Sequence, residues 1–325
     1  MAGVSAEVAL PWACRRDEPL AGWTHCRIGG IATVFCEART EADVLAAIEY
    51  RRAAGNGPKA DFGVAADDAF VLGGGANVLI NDARKYSLVL KLSEHFNAIT
   101  VDADGRTARI EAGIYTPRLV REAARRGWEG YQFLAGVPGT LGGAVVMNAG
   151  VRELSTWDRV LAIEGITWEG ERRRCSREEL EPGYRRGNVP DDLIVTSAVC
   201  ELPVGDPETI RRTARDLASS RRDSQPLHHP SWGSTFKNPS GASSTGETAG
   251  ALIERTGLKG FRKGDAQIST VHANFIVNVG TARAAEALAC IRRAYEAVRE
   301  VCGVRLEPEV RLIGFPPADL AFLRE

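Results

Sequence analysis

The sequence predicts an α+β fold. Segments 87–113 and 159–202 are rich in strand-forming residues and turns, whereas amphipathic helices follow Thr40, Thr116 and Thr281. A chain of 325 residues with 44% hydrophobic content is long enough for two or three domains of ordinary globular composition. We divide it into three domains, at 1–70, 71–205 and 206–325.

Turn and cap residues place the elements of the first half. A strand, a Gly29-Gly30 turn and a second strand precede a short helix, which Thr40 caps with Asp43 at its third position. Residues 53–68, crowded with Gly, Ala, Asn, Pro and Asp, predict an inserted loop. Asp104-Gly105 predicts a hairpin turn between two later strands.

The remaining helices are indicated by their ends and by one apolar stripe. Thr116-Pro117 opens a helix that stops at Gly127, and Asp206-Pro207 opens another that runs to about Ser220. A terminal strand is predicted over 304–313. The long helix after Thr281 carries apolar residues spaced by three and four, so they form one buried face. These residues are Leu288, Ile291, Tyr295, Val298 and Cys302.

Charge and cysteine content exclude several classes of function. Lys+Arg 41 against Asp+Glu 42 gives a net charge of -1, so no global basic field favours nucleic acid or an anionic membrane. The seven cysteines form no C-x-x-C pair, which predicts neither a disulfide framework nor a metal site and favours reduced thiols in the cytoplasm. No signal peptide or membrane-spanning run is recognisable.

Two glycine-rich segments predict backbone cradles for a ligand. Residues 136–150 combine five glycines with apolar anchors, and residues 70–80 form a strand that three consecutive glycines interrupt. Neither segment fits GxxxxGK[ST] or GxGxxG, so the common nucleotide-binding loops do not apply. Inward-pointing N–H groups would bind an anion. For 136–150, a tight Gly-Pro turn between two buried strands is the structural alternative.

Seven motifs in sequence order carry a family resemblance. They are Arg27-Ile-Gly-Gly30, Gly73-Gly-Gly-Ala-Asn-Val-Leu79, Gly136-Val-Pro-Gly-Thr-Leu-Gly-Gly143 with Asn148-Ala-Gly150, Tyr184-Arg185, Gly233-Ser-Thr-Phe-Lys-Asn-Pro239, His272-Ala-Asn-Phe-Ile-Val-Asn278 and Pro308-Glu-Val-Arg311. Over roughly residues 20 to 315 they resemble the UDP-N-acetylenolpyruvoylglucosamine reductases, also called UDP-N-acetylmuramate dehydrogenases. Each motif alone is weak, but all seven in register are specific.

The resemblance implies an FAD-binding fold of the vanillyl-alcohol-oxidase type, in which two N-terminal α+β subdomains hold the flavin. A C-terminal α+β domain would close over the substrate, as in the family's second type, which lacks a tyrosine-bearing insertion. The two cradles would then clasp FAD through their backbone N–H groups. The residues implied in cofactor binding are Gly73, Gly74, Gly75, Ala76, Asn77, Gly136, Val137, Pro138, Gly139, Thr140, Gly142 and Gly143.

The resemblance also implies a reaction. NADPH would pass a hydride to FAD and then to C3 of an enolpyruvyl group, so that negative charge spreads onto the carboxylate before C2 is protonated. Arg185 would stabilise that charge, Ser234 would protonate C2, and Glu309 would assist opposite Arg185. Alternatively these are a surface arginine, a turn serine and an exposed strand glutamate, with Glu307 as a competing carboxylate.

Further residues are implied near the substrate. Lys237 and Asn238 would lie near the UDP part, because lysine suits a diphosphate. Tyr184 would contact the substrate or merely pack. His272 belongs to the same group by its motif, although a hydrogen-bonded structural role suits it better. The expected partners are a UDP-sugar and NADPH, with no nucleic acid or membrane, and we expect a monomer.

The chain departs from the family pattern at several positions, which leaves two other functions open. These positions are Ala76, Val151-Arg152, Gly187, Trp232 and Asp265. A flavin oxidase of the same fold would act on another alcohol or sugar, but it would leave Ser234 unexplained. A catalytically degenerate paralogue would bind a partner or nucleotide without turnover.

Overall fold

The computed structural model describes residues 10–12, 14–53, 69–92, 94–151, 154–239 and 246–324. Most of the predicted 53–68 loop lies outside the described residues. Strands form three main sheets, of four, five and four strands, and each sheet carries helices. Within the described residues, no helix is long and apolar enough to span a membrane. The mixture of sheets and separate helices confirms the predicted α+β class.

The first sheet contains residues from both sides of the first glycine turn. Strand β4 lies outside this sheet, whose order is β1-β2-β5-β3, with β5 parallel to both β2 and β3. The predicted 70/71 division falls inside β3, and the sheet continues to Leu92. The elements of this part are β1 (Cys14–Pro19), β2 (Ile31–Ala38), α1 (Glu41–Ala53), β3 (Ala69–Leu72), β4 (Val78–Ile80) and β5 (Lys85–Leu92).

Sequence signals for this part are confirmed at the helix but not at the first strand. Asp43 Oδ2 accepts the backbone N–H of Thr40 at 3.0 Å, and Thr40 Oγ1 accepts that of Asp43 at 3.3 Å, which is the predicted cap. The segment before Gly29-Gly30 is irregular, because its backbone bonds are made across to other loops. One of these joins His25 N to Gly75 O at 2.9 Å.

The second sheet is antiparallel, in the order β11-β10-β12-β7-β6. The predicted hairpin turn at Asp104-Gly105 is confirmed, with Gly105 at φ 70°. The glycine segment 136–150, predicted as a loop, contains helix α3. The elements are β6 (Ile99–Val101), β7 (Thr107–Glu111), α2 (Thr116–Arg126), α3 (Leu141–Val146), β8 (Gly150–Val151), β9 (Leu154–Ser155), β10 (Val160–Thr167), β11 (Arg172–Ser176), α4 (Arg177–Leu180) and β12 (Leu193–Glu201).

Helix α5 (Pro207–Ser224) follows this sheet and packs against α2. Asp206 accepts the N–H of Thr209 at 2.8 Å, as the predicted N-cap requires. The helix extends past the predicted end at Ser220. Gln225, which precedes a proline, takes an extended conformation and so ends the helix.

The third sheet has the order β13-β16-β15-β14, and the long helix α7 buries its predicted apolar stripe beside it, except for the partly exposed Cys302. Of the strand predicted over 304–313, only the last three residues are regular. These form β17, which leaves this domain and pairs in parallel with β4. The elements are β13 (Ser231–Ser234), α6 (Ala249–Arg255), β14 (Arg262–Lys263), β15 (Ala266–Ile268), β16 (Phe275–Asn278), α7 (Ala284–Cys302) and β17 (Arg311–Ile313).

Candidate active site

A cleft of about 1570 Å³ lies where the three sheets meet. Both glycine segments line it, as do Arg185 and three predicted residues of the C-terminal domain, Ser234, Lys237 and Glu309. Residues far apart in the sequence therefore share one cavity, of a size suited to a large cofactor and a substrate.

The first cradle is the turn between β3 and β4, and it fits closely against the second. A Cβ atom on Gly74 would lie 2.5 Å from Gly139 Cα, and one on Gly75 would lie 2.0 Å from the carbonyl oxygen of Trp23. Gly75 also has φ 67°. The backbone N–H groups of Gly74, Gly75 and Ala76 donate to no other described residue. Glycine is required here by close packing, and the free donors fit a phosphate.

The second cradle is held from behind by Thr116, which is fully buried. Its backbone N–H donates to Gly139 O at 3.0 Å, and its hydroxyl donates to Val137 O. Gly136 and Gly139 have φ 74° and 114°. With its carbonyls bonded to the protein, this loop leaves N–H groups such as that of Thr140 without a partner among the described residues. Both cradles therefore fit an anionic ligand.

Arg185 occupies a strained position in a tight turn. Arg186 N–H donates to Gly183 O at 3.1 Å, and Arg185, third in this turn, has φ 55°. Glycine or asparagine is preferred at such a position, so an arginine here is held against local preference. Asn148 stabilises the turn, since its Nδ2 donates to Gly183 O at 2.8 Å.

Glu309, rather than Glu307, lies beside Arg185. Arg185 Nε is 2.9 Å from Glu309 Oε1, although the N–H does not point squarely at the oxygen. Both side chains are about one-fifth exposed, whereas that of Glu307 is 72% exposed. Burial raises the pKa of Glu309, and the charges of Arg185 and Lys237 oppose this only partly.

Ser234 and Lys237 lie on and just after β13. Gly233 has φ 86° and open space around its α-carbon, so the strand presents Ser234 at the cleft wall. Lys237 Nζ forms an ion pair with Glu307 Oε1 at 2.5 Å. A diphosphate would therefore compete with an exposed carboxylate for this ammonium group.

Three predicted substrate residues do not line the cleft. The side chain of Tyr184 is exposed, with the guanidinium of Arg185 5.0 Å from its ring centre. Asn238 Oδ1 accepts the N–H of Ala249 at 3.0 Å and so supports the start of α6. His272 packs on Phe275, and its Nδ1 accepts a backbone N–H two residues later. In this structure Asn238 and His272 therefore support the fold of the C-terminal domain.

Sequence reasoning gave no role to two residues that the structure places at the site. Asn274, in the His272 motif, bonds Phe236 through both its amide atoms, at 2.9 and 2.8 Å, and so fixes the strand after Ser234. Arg221 lines the cleft, where burial and the charge of Arg185 lower its pKa. Asn274 stood within a recognised motif, whereas Arg221 lay in a run of charged residues without a distinguishing signal.

The departures from the family pattern have local explanations. A Cβ atom on Gly187 would lie 2.2 Å from Val145 O, so this structure has no room for a serine there. Trp232 is buried and donates its ring N–H to Thr235 Oγ1 at 3.2 Å. Asp265 accepts the N–H of Thr281 at 2.8 Å, outside the cleft. Arg152 lies outside the described residues.

Comparisons with known proteins agree with this geometry. Residues 225–313 match the C-terminal domain model of UDP-N-acetylenolpyruvoylglucosamine reductase, and residues 32–176 match an FAD binding domain. The chain is 40% identical to the UDP-N-acetylenolpyruvoylglucosamine reductase of Rubrobacter xylanophilus over 94% of its length and 96% of the relative's. The chain belongs to the UDP-N-acetylenolpyruvoylglucosamine reductase family.

Two further relatives extend this result. The protein of the same name from Anaeromyxobacter dehalogenans is 41% identical over 95% of this chain and 88% of its own. The crystal structure of the Thermus caldophilus UDP-N-acetylenolpyruvylglucosamine reductase (MurB) has a TM-score of 0.73 at 35% identity, covering 92% of this chain and 98% of that one. The predicted FAD-binding fold of the vanillyl-alcohol-oxidase type is confirmed.

The FAD-binding match makes this family member an FAD-dependent oxidoreductase, and its residues fit that cofactor. The matched region contains both cradles, from Gly73 to Asn77 and from Gly136 to Gly143. Their partnerless N–H groups suit the two phosphates of FAD, which are its only charged groups at neutral pH. The cleft is also large enough for the isoalloxazine ring.

Gly187 provides a test of how the Arg185 turn is packed. We expect Gly187→Ser to destabilise the protein by about 1 to 3 kcal/mol, because the new side chain must displace the backbone of α3. Gly183→Ala, at the other end of the turn, is the control, since a Cβ atom there has nothing within 4 Å. Thermal unfolding of both variants makes the measurement. Equal stability of the two would contradict this packing.

The raised pKa of Glu309 predicts a pH effect. Between the ordinary pKa of a glutamate and the raised folded-state value, the folded protein binds more protons than the unfolded chain. Its contribution to stability is therefore present at lower pH and is lost as pH rises through this window. Glu309→Gln should flatten this dependence in unfolding titrations from about pH 4 to about pH 7. An unchanged slope would show that Glu309 titrates normally.

Proposed function

We propose that the protein reduces UDP-N-acetylglucosamine enolpyruvate to UDP-N-acetylmuramate, with NADPH as the donor, for peptidoglycan synthesis. The observation that supports this most strongly is the gathering of Arg185, Ser234 and Glu309 at one cleft with the FAD cradles. A flavin oxidase would need neither a proton donor nor a carboxylate-binding cation at this position. The names of the relatives support the same reaction.

Bound FAD would supply the hydride. The residues of the chain must stabilise the negative charge that develops on the substrate and provide the proton. Addition at C3 leaves negative charge shared with the substrate carboxylate. Arg185 is a permanent cation with a planar pair of donors suited to a carboxylate, and its turn holds it in place before substrate arrives. We assign to Arg185 the stabilisation of this charge.

The proton at C2 is assigned to Ser234. An isolated hydroxyl is a weak acid, so it needs polar surroundings that favour proton release. Arg185, Arg221 and Lys237 line the same cleft and make it locally cationic. Glu309 has a raised pKa and lies against Arg185, so it is suited to share a proton with the enolic group of the substrate.

Lys237 is proposed to bind the substrate diphosphate. Its side chain is only 16% exposed, but its partner Glu307 is 72% exposed and can turn into solvent at little cost. The diphosphate would then replace one carboxylate by two phosphates. This assignment explains a cation at the cleft wall that, among the described residues, forms an ion pair with the exposed Glu307 alone.

The cellular setting is a separate part of the proposal. All seven cysteines are free, and five of them are buried. Free thiols are typical of a reducing compartment, which supports a cytoplasmic location. We also propose that the protein acts as a monomer, since both cradles and Arg185, Ser234 and Glu309 come together within one chain without a residue from a second copy.

A flavin absorption spectrum tests the proposed reaction in one series. Purified protein should be yellow, lose its absorbance near the flavin maximum on anaerobic addition of NADPH, and regain it on addition of UDP-N-acetylglucosamine enolpyruvate. Reoxidation by oxygen alone, with no response to this substrate, would favour a flavin oxidase. Colourless protein that FAD cannot reconstitute would favour a degenerate paralogue.

Ser234→Ala separates the two halves of this series. Reduction by NADPH should proceed at the wild-type rate, whereas reoxidation by substrate should slow by a factor of about 10² to 10⁴, the range for loss of a general acid. Stopped-flow absorbance measures both steps in the same sample. If both steps slowed equally, Ser234 would have a structural role instead.

Asn77 links the cofactor turn to Glu309. Its Nδ2 donates to Glu309 O at 3.0 Å, and its own carbonyl accepts Arg311 N–H at 3.1 Å. On the other side, Glu309 N–H donates to Thr235 O at 2.8 Å, one residue after Ser234. The backbone of Glu309 is thus fixed between the cofactor turn and the strand of Ser234.

Asn77→Ala should therefore misplace Glu309, and Asn81→Ala is a matched control. Asn81 makes the same kind of bond at the other end of the β4–β17 pair, with its Nδ2 3.1 Å from Gly314 O. Each variant should lose about 1 kcal/mol of stability. Only Asn77→Ala should slow substrate reduction about tenfold to hundredfold at saturating FAD. Equal activity of the two variants would exclude the positioning role.

A further inference from the structure

Lys91 is a buried lysine directly behind the first cradle. It lies near the end of β5, is 5% exposed, and its Nζ donates to Gly73 O at 3.0 Å. The rings of Trp23 and Tyr115 lie nearby, with centres 5.8 and 5.9 Å from Nζ. It does not line the cleft, whereas Gly73 does. The ammonium group therefore contacts the turn from the protein side.

A lysine in this position is costly for the protein without its cofactor. Burial lowers the pKa of Lys91, and the carboxylates of Glu37 and Glu94 oppose this only partly. No carboxylate of a described residue forms an ion pair with it. A buried cation that lacks such a partner is destabilising, and a negatively charged ligand would compensate it.

Peptide geometry shows what Lys91 does to the turn. In a planar trans peptide, the carbonyl of Gly73 and the N–H of Gly74 point in opposite directions. Because Lys91 holds the carbonyl on the protein side, the N–H is directed toward the cleft. His25 acts likewise one peptide further on, since its N–H donates to Gly75 O at 2.9 Å and so turns the N–H of Ala76 outward.

We propose that Lys91 is a positioning residue for FAD, which orients the Gly73–Gly74 peptide and places a positive charge behind the phosphate-binding donors. The ligand group it serves is the diphosphate, because only a negatively charged group gains from both effects. The flavin ring can accept a hydrogen bond but carries no net charge, so it gains little from the ammonium group. The proposal concerns cofactor binding, so it does not depend on the identity of the substrate.

The test compares two lysines on the same strand in apoprotein. Lys91→Met keeps a side chain of similar length but removes its charge and its hydrogen-bond donor. Lys85→Met alters a lysine that is 67% exposed and pairs with Asp17. We expect Lys91→Met to weaken FAD binding about tenfold to hundredfold and to leave riboflavin binding unchanged. Lys85→Met should change neither. Fluorescence titration measures both ligands, and apoprotein unfolding should show Lys91→Met at least as stable as wild type.

Equal weakening of FAD and riboflavin binding by Lys91→Met, or no weakening, would overturn the proposal. If this variant fails to fold, wild-type protein provides the measurement. Burial lowers the pKa of His25 and of Lys91 and raises that of Tyr115, and the carboxylates of Glu37 and Glu94 also face Lys91. Because Lys91 loses its proton at a lower pH than an ordinary lysine, FAD affinity relative to riboflavin should fall as the pH is raised from about 7 to about 10. A constant ratio contradicts the proposal.

Discussion

The parallel pairing of β17 with β4 is the contact on which the site depends. It brings residues 311–313 beside β4, the strand that follows the first cradle, with Arg311 opposite Val78 and Ile313 opposite Ile80. Glu309, two residues before β17, is thereby placed between the cofactor turn and the strand of Ser234. Because β4 and β17 are adjacent parallel strands, their register fixes the position of the first cradle relative to Glu309. Neither can shift without the other.

The site combines opposite charges in a way that stability alone would not favour. Arg185 and Glu309 are in contact, yet burial still raises the pKa of Glu309, and burial beside Arg185 lowers that of Arg221. Desolvation thus exceeds the attraction within the pair, as is common for buried ions. A negatively charged carboxylate from the substrate would neutralise the excess of cations. Under the proposed function, the cost of these charges in the free protein would favour the binding of an anionic substrate.

The sequence allowed much of the fold to be predicted, and its failures have physical causes. Cap residues gave the starts of α1 and α5, because a cap is a local interaction, and Pro117 in the first turn gave the start of α2. Helix α3 was missed, since its glycines lower helix propensity and it is supported by tertiary contacts, such as Gly142 N–H to Ala112 O at 2.9 Å. The strand predicted over 304–313 was wrong for most of its length, because Pro308 has no N–H to donate to a neighbouring strand.

The predicted site residues also fall into two groups, those that line the cleft and those that support the fold. Arg185, Ser234 and Glu309 were identified by motif and are brought to one cleft, whereas Asn238 and His272 came from equally recognisable motifs and serve the domain's own structure. A motif marks residues that the fold needs as well as those that the reaction needs. Their separation requires distances, which sequence order does not contain.

The replacement of serine by Ala76 illustrates how this cofactor site tolerates change. A side-chain hydroxyl could add one bond to a phosphate, but the donors that remain are backbone N–H groups, which no substitution at this position except proline removes. Their direction is set elsewhere, by the carbonyl contacts of Lys91 and of the His25 N–H. The cradle therefore tolerates the change of side chain at Ala76, whereas it depends on the close packing of Gly74 and Gly75 and on Lys91, which does not line the cleft.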